Sequence, residues 1–300
     1  MSQSWDVDNF RLSEQGCRLI DQALTEDIGP GDYSSQWAVP SGHASRARIV
    51  ARAAGLITGI PVARYILTRF DPAPQMVSAM SDGQVATAGQ VVAEMVGPTR
   101  ALLSLERTLL NFLQRLSGIA TLASRFVQSV EGTGVKILDT RKTTPCLREL
   151  EKYAVRVGGA FNHRFGLFDY VLLKENHIAS AGGITAAVKA VRRNNRGKLS
   201  VEVETRTLDE VREAAKAGVN RIMLDNMTVE QMRHAVEIIR QCCGEKRPEI
   251  EASGDINLRT APEVADTGVD YISVGALTHS AGILNLTMLI EPEGDSRHSA

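Results

Sequence analysis

The sequence has no surplus of either charge sign. Its 300 residues carry 34 Lys and Arg against 35 Asp and Glu, a formal net charge of −1. No global field exists to draw in nucleic acid or an anionic membrane, so any affinity for anions must come from local clusters. Long apolar runs are also missing. No window approaches 18 uncharged apolar residues, which excludes a membrane-spanning helix. The opening MSQSWDVDNF has neither the basic start nor the apolar stretch of a signal peptide. Cysteine is scarce: Cys17, Cys146, Cys242 and Cys243 show no metal spacing. They read as free thiols, and the expected location is cytoplasmic. No G-x-G-x-x-G opens a helix after a strand, so a dinucleotide site has no support. Ser253 has no evident His/Asp partner, which argues against a nucleophilic triad. What is present, 43% apolar and 23% charged residues, is ordinary globular composition. The length calls for two domains, or for one large barrel with an added module.

The character of the chain changes near residue 130. Before it lie Gly-punctuated, strand-like pieces, Arg46 to Ile60 and Asp82 to Gly97, the second reading as two short strands around a Thr-Ala-Gly turn. A helical stretch follows from Leu102 to Val130. Leu105, Leu109, Phe112, Leu113, Leu116, Ile119, Leu122, Ala123 and Phe126 recur there at helical spacing. Gly118 is expected to kink or interrupt it. Beyond residue 134 come six short apolar runs: Val135–Leu138, Tyr170–Leu173, Leu199–Val203, Ile222–Leu224, Ile250–Ala252 and Tyr271–Val274. Helix-compatible segments such as Leu208–Ala217 and Val229–Arg240 separate most of them. Alternation of this kind predicts parallel β/α units, in a closed or nearly closed barrel or in a doubly wound sheet. The polar tail after Ile290 is expected to fray.

Polar residues gather just after these runs. Asp139-Thr140-Arg141-Lys142-Thr143 follows the first and Lys174-Glu175-Asn176-His177 the second. Glu202 and Glu204 share one face of the third, because strand side chains alternate. Asp225-Asn226, Ser253-Gly254-Asp255 and Gly275-Ala276 follow the others. In a β/α barrel this rim carries the active site. Arg141, Lys142, Arg164 and Lys174 supply positive charge suited to carboxylates and phosphates. Ser253-Gly254 and Gly275 offer backbone N–H groups to a phosphate. Glu204 and Asp225 suit hydroxyls, or a Mg²⁺ ion already held by phosphate oxygens. The set describes a substrate with several negative charges and at least one phosphate. Each signal also has a bland reading. Arg141-Lys142 could be a solvated turn, and Lys174 could only pair with Glu175 or Glu204. Glu202 reads as structural. His163 divides between a ligand contact and a hydrogen-bonded structural residue, in a loop flanked by Gly158-Gly159 and Gly166.

Several stretches together resemble the quinolinate phosphoribosyltransferases, also called nicotinate-nucleotide pyrophosphorylases (carboxylating). They are LTEDIGPGDYSS (Leu24–Ser35), LERTLLNFLQRLSGIAT (Leu105–Thr121), the run Leu138–Ile178, VEVET (Val201–Thr205), LDNM (Leu224–Met227), EASGDI (Glu251–Ile256) and SVGALTHSA (Ser273–Ala281). The resemblance implies an α/β fold: an incomplete parallel β/α barrel of about seven strands with an N-terminal open α/β sandwich. The expected domains are residues 1–116 for the sandwich, 117–275 for the barrel and 276–300 for a segment returning to the first domain. It also implies a homodimer, or an assembly of dimers, with no nucleic acid or membrane partner. The implied reaction moves phosphoribose from phosphoribosyl pyrophosphate to quinolinate, with Mg²⁺, and releases CO₂ to give nicotinate mononucleotide.

By matching motif, Arg141, Arg164 and Lys174 would bind quinolinate, with Thr140 and His163 near them. Arg107 would reach the neighbouring subunit's site. Lys142 would meet the diphosphate, and Glu204 and Asp225 the ribose hydroxyls and metal. Ser253, Gly254 and Gly275 would cradle the 5′-phosphate. Asp255 departs from many relatives, which have a small or neutral residue there, and a carboxylate would repel that phosphate unless it turns away. Two other classes compete. A barrel-strand lysine could form an imine, as in a Schiff-base aldolase, but a crowd of arginines has no use in that chemistry. An oxyanion-binding, molybdenum-transport-associated relative of the same fold is the second alternative.

Overall fold

The computed structural model describes residues 10–292. In chain order the elements are α1 (Glu14–Ile28), α2 (Tyr33–Ala38), β1 (Ala44–Ala51), β2 (Gly55–Leu56), α3 (Ile60–Leu67), β3 (Gln75–Ala79), β4 (Val85–Ala86), β5 (Val91–Pro98) and α4 (Thr99–Ser129). Then come β6 (Lys136–Leu138), α5 (Arg148–Val157), β7 (Val171–Leu173), α6 (Glu175–Ala181), α7 (Ile184–Asn195) and β8 (Val201–Thr205). The chain continues with α8 (Leu208–Ala217), β9 (Arg221–Asp225), α9 (Val229–Cys243), β10 (Glu249–Ser253), α10 (Ala261–Ala265), β11 (Tyr271–Ser273), α11 (Ala276–His279) and β12 (Leu286–Pro292). Contacts divide the described chain into two units. One holds Ala123–Lys142 and Ala160–His279; the other holds residues 10–122, Thr143–Gly159 and 280–292.

The first unit is built on a parallel sheet with strand order β6-β11-β10-β9-β8-β7. That order is a cycle with one gap: each strand lies beside its neighbour in sequence, and the last pairs with the first. Right-handed β-helix-β steps that always advance one strand curl a sheet this way. Phe161 extends the cycle by a single parallel bridge to Leu138, with Phe161 N donating to Ile137 O at 2.8 Å. Six strands and this bridge make the incomplete barrel of about seven strands, and the doubly wound alternative falls away. The apolar runs became strands because both faces are covered; all five residues of β8 are buried. Capping boxes start the outer helices, Thr207 with Glu210 on α8 and Thr228 with Gln231 on α9.

The second unit is centred on an antiparallel sheet of order β12-β1-β5-β3, so the chain's last strand lies beside its first. The α4 helix runs for 31 residues, about 46 Å, without interruption. Leu105, Leu109, Leu113, Leu116, Ile119, Ala123 and Phe126 are buried along it, whereas Phe112 and Leu122 are only partly covered. The expected break at Gly118 does not occur. A Cβ there would lie 2.0 Å from the Gly282 carbonyl oxygen, so this glycine admits a second backbone rather than ending a helix. Glu291 and Pro292 belong to β12, so order persists past Ile290. The rest of the polar tail, like the opening segment, lies outside the described residues. No helix among them is long and apolar enough to cross a membrane. All four cysteines are free.

Candidate active site at the open end of the barrel

Parallel register brings the strand ends to one side. Ser253 pairs with Asp225, Thr205 with Leu224 and Leu173 with Val203. Thr140, Arg141, Lys142, Lys174, Glu204, Asp225, Ser253, Gly254 and Gly275 therefore share the C-terminal mouth of this sheet. His163 and Arg164 join them through the loop that follows the Phe161 bridge.

Asp139 fixes that loop. Its fully buried carboxylate accepts the backbone N–H of His163 at 2.8 Å and the Asn162 side-chain amide at 2.6 Å. Arg164 is held half-buried, its Nη1 on the Tyr170 carbonyl at 3.2 Å. Among the described residues it has no ion pair. Burial disfavours its charge first and the neighbouring Arg141 guanidinium second, so its pKa is lowered. Two guanidiniums held close together in a partly dehydrated place suit an anion between them. Lys174 completes the cations: Nζ lies 3.0 Å from Glu204 Oε2.

Lys142 follows a tight loop in which its N–H donates to Thr140 Oγ1 at 3.0 Å and its carbonyl accepts Thr278 Oγ1 at 2.7 Å. Its stem passes Gly275 so closely that a Cβ there would lie 3.0 Å from Lys142 Cδ. Gly254 has φ +140°, and a Cβ on it would meet Asn226 Oδ1 at 2.8 Å. The bare backbone at the end of β10 is thus required by its own neighbours. The Asp255 side chain is exposed, as needed if it turns away from an anion there. Arg107 belongs to the other unit. It is exposed on α4, with Glu106 at 4.0 Å.

Below the mouth the barrel interior is ionic. Alternation points Glu202, Arg221 and Glu251 inward. His163 Nε2 lies 3.1 Å from Glu202 Oε2 and 3.4 Å from Glu251 Oε2. Arg221 Nη1 pairs with Glu251 at 3.0 Å while its guanidinium stacks 4.1 Å from the Tyr271 ring centre. Burial would raise Glu251, but His163 and Arg221 hold it down to about 2. Burial, then Glu251, push Glu202 up to about 7. Burial opposes charge on His163, yet the carboxylates of Glu251 and Glu202 push it up to about 10. His163 and Glu202 thus compete for the one proton that keeps the four groups neutral overall. The N–H of Arg164 donates to His163 Nδ1 at 2.7 Å. That nitrogen is therefore an acceptor, and Nε2 bears a ring proton that faces both carboxylates. The potential ligand atoms of this His-Glu-Glu triad lie within 4.8 Å of one another, and Arg221 Nη1 holds Glu251 Oε2 at 3.0 Å.

Sequence reasoning missed Arg206, Arg221 and Glu251, and passed over Asp139 as a rim residue. The signal for the interior set was the spacing of charges two apart in the short strands, Glu202/Glu204 and Glu249/Glu251. A polar cavity of about 640 Å³ lies at the opposite, N-terminal ends of β6, β10 and β11. Its Arg247 is already paired with Asp270 at 2.7 Å.

Fold and mouth define an enzyme of the β/α-barrel class that receives a multiply anionic substrate. Residues 119–289 match the family described as quinolinate phosphoribosyl transferase, C-terminal domain, and residues 32–117 match its N-terminal domain. A probable nicotinate-nucleotide pyrophosphorylase (carboxylating) of Synechocystis is 46% identical over 271 residues, covering 90% of this chain and 91% of that protein. Its counterpart in Bacillus subtilis is 41% identical, covering 93% and 94%. The crystal structure of NadC from Streptococcus pyogenes has a TM-score of 0.88 at 39% identity, covering 95% of this chain and 99% of that one. The chain belongs to the quinolinate phosphoribosyl transferase family.

Proposed function

We propose that the mouth binds quinolinate beside phosphoribosyl pyrophosphate, and that the residues gathered there divide the work as follows. The chain is a pentosyltransferase of de novo NAD biosynthesis. It transfers phosphoribose from phosphoribosyl pyrophosphate to the quinolinate nitrogen, and diphosphate, CO₂ and nicotinate mononucleotide result. The observation that carries the site reading is the unpaired Arg164 beside Arg141, two cations matched to a diacid. Lys174 is the third, once quinolinate displaces Glu204 from it. A pair at 4 Å is worth roughly 4 kcal/mol at an effective dielectric near 20, against about 1 kcal/mol in water.

Lys142 neutralises the departing diphosphate. Glu204 and Asp225 hold the ribose hydroxyls and stabilise positive charge as the C1–O bond breaks. The backbone at Ser253-Gly254 and Gly275 receives the 5′-phosphate, with Thr140 bracing the Lys142 loop. The carboxylates of Glu204 and Asp225 both face one cation, the Arg206 guanidinium, at 3.5 Å. Two hard oxygen donors directed at one place fit Mg²⁺; when bound with the diphosphate it would supply charge neutralisation. The pyridine nitrogen attacks C1 with its own lone pair, so no general base is needed. Once ribosylated, the ring nitrogen is positive and stabilises the electron pair left on C2 as its carboxylate departs as CO₂, and a proton from water then takes up that pair. An oxyanion-binding role would leave Glu204 and Asp225 without a use.

We also infer a homodimer or assembly of dimers, in which exposed Arg107 serves a second copy's site, and a cytoplasmic location in keeping with four free thiols. Incubating the protein with quinolinate, phosphoribosyl pyrophosphate and Mg²⁺ tests the reading. Nicotinate mononucleotide and CO₂ in equal amounts support it; a folded protein that forms neither refutes it.

A further inference from the structure

Arg206 follows β8 directly, at the mouth, and no step above uses it. Its own N–H donates to Glu210 Oε2 at 2.6 Å, which anchors the backbone to the first turn of α8. The side chain is half-exposed and reaches back over the site. Nη1 pairs with Glu175, Nη2 lies 3.5 Å from Glu204 Oε1, and Nε lies 3.5 Å from Asp225 Oδ2. Lys174 takes the other Glu204 oxygen. A positive charge carried by the protein therefore stands where both ribose-side carboxylates point.

We infer that Arg206 is a tethered counterion that competes with the metal-bound sugar diphosphate for Glu204 and Asp225, and that Glu175 is the arm that takes Arg206 when the ligand enters. This rests on the site reading above, since it needs those carboxylates to meet the ribose and its cation. The geometry favours competition over ligation of the diphosphate. The guanidinium faces two carboxylates that the ligand must also reach, and both contacts sit at the long end of ion pairing, where they yield readily. Glu175 makes the closer contact, and it is exposed, so Arg206 can leave the mouth without losing its partner. Without Arg206 the two carboxylates would repel each other in the empty site. With it, the empty site is neutralised and ligand affinity is correspondingly reduced.

The test is binding without turnover. Phosphoribosyl pyrophosphate is titrated calorimetrically in the presence of Mg²⁺ and the absence of quinolinate, and Mn²⁺ binding is followed by the loss of the free-ion resonance. Partly exposed ion pairs of this kind are weak, so Arg206→Gln should tighten binding about two- to tenfold. Glu175→Gln removes the receiving arm and should weaken binding, the opposite direction. Rising KCl should narrow both differences. Weaker binding by Arg206→Gln would make the arginine a ligand of the diphosphate and overturn the inference. Unchanged binding in both variants would reduce the contacts to surface pairing and overturn it too. Failure of the unsubstituted protein to bind at all overturns the site reading, and this inference with it.

Discussion

Replacing Arg164 by methionine separates what this side chain does for the fold from what it does for a substrate. In the free protein its charge is disfavoured by burial and by Arg141, and its hydrogen bond is to the Tyr170 carbonyl at 3.2 Å. Losing one such bond costs about 0.5–1.5 kcal/mol, and relief of the repulsion offsets part of it. Stability should stay within about 1 kcal/mol, a change in Tm of about 2–4 °C or less. Against a substrate carboxylate the balance is different. The full attraction of roughly 4 kcal/mol applies to a desolvated pair at 4 Å. Arg164 is only half-buried, and screening brings this to about 2–3 kcal/mol. At 1.36 kcal/mol per decade, kcat/KM for quinolinate should fall about 30- to 150-fold. Nicotinate offers one carboxylate and leaves a cation unmatched. The unsubstituted enzyme should then prefer quinolinate by about two to three decades, and R164M should lose most of that preference. Initial rates with both acids, at saturating phosphoribosyl pyrophosphate and Mg²⁺, measure the ratio, with thermal unfolding alongside. A variant that keeps kcat/KM within about threefold, or loses it only in step with Tm, would refute the reasoning.

Asp139→Asn turns one of two accepting oxygens into a donor facing a donor, at about 1.5–3 kcal/mol. The His163–Arg164 loop should shift, so KM for quinolinate rises about 10- to 100-fold while KM for phosphoribosyl pyrophosphate moves less; equal shifts in both would deny the loop this role. Glu251→Gln strips Arg221 and His163 of a buried partner and should cost about 3–5 kcal/mol. Because Glu251 is held down to about 2 from an ordinary 4.5, its contribution is complete above about pH 4.5 and lost as pH falls towards 2. Urea midpoints between those values should slope in the parent and flatten in the variant; parallel slopes would contradict the pairing. Mixed Arg107→Ala and Lys174→Ala subunits should regain activity that neither has alone, and no recovery in subunits shown to exchange would place Arg107 outside a shared site.

The barrel was legible because its strands are buried on both faces. Each of the six apolar runs begins or ends within two residues of an observed strand. The polar residues behind them were legible for the same reason, since a charge directly after a buried run has a rim to occupy. Phe161 was not legible: one bridge needs no apolar run. Gly118 misled because helix propensity registers the entropy of glycine but not the Gly282 carbonyl that presses against it. Arg221 and Glu251 were missed because alternation does not say which face of a strand lies inside, and here the inside holds the charges. Arg206 lies one residue past a motif that reads as finished, and its partners come from β8, β9 and α6.

The ionic centre of the barrel bears on how the molecule assembles. His163, Glu202, Arg221 and Glu251 arrive from a loop and three separate strands, and none can be dehydrated cheaply without the others. A half-built sheet would strand at least one of these charges away from water, whereas a greasy centre could collapse in stages. Stopping partway is thereby penalised, and the last strand to dock brings the compensation for the rest. The region that makes the barrel costly to repack is also the one that selects the native strand arrangement over its near misses.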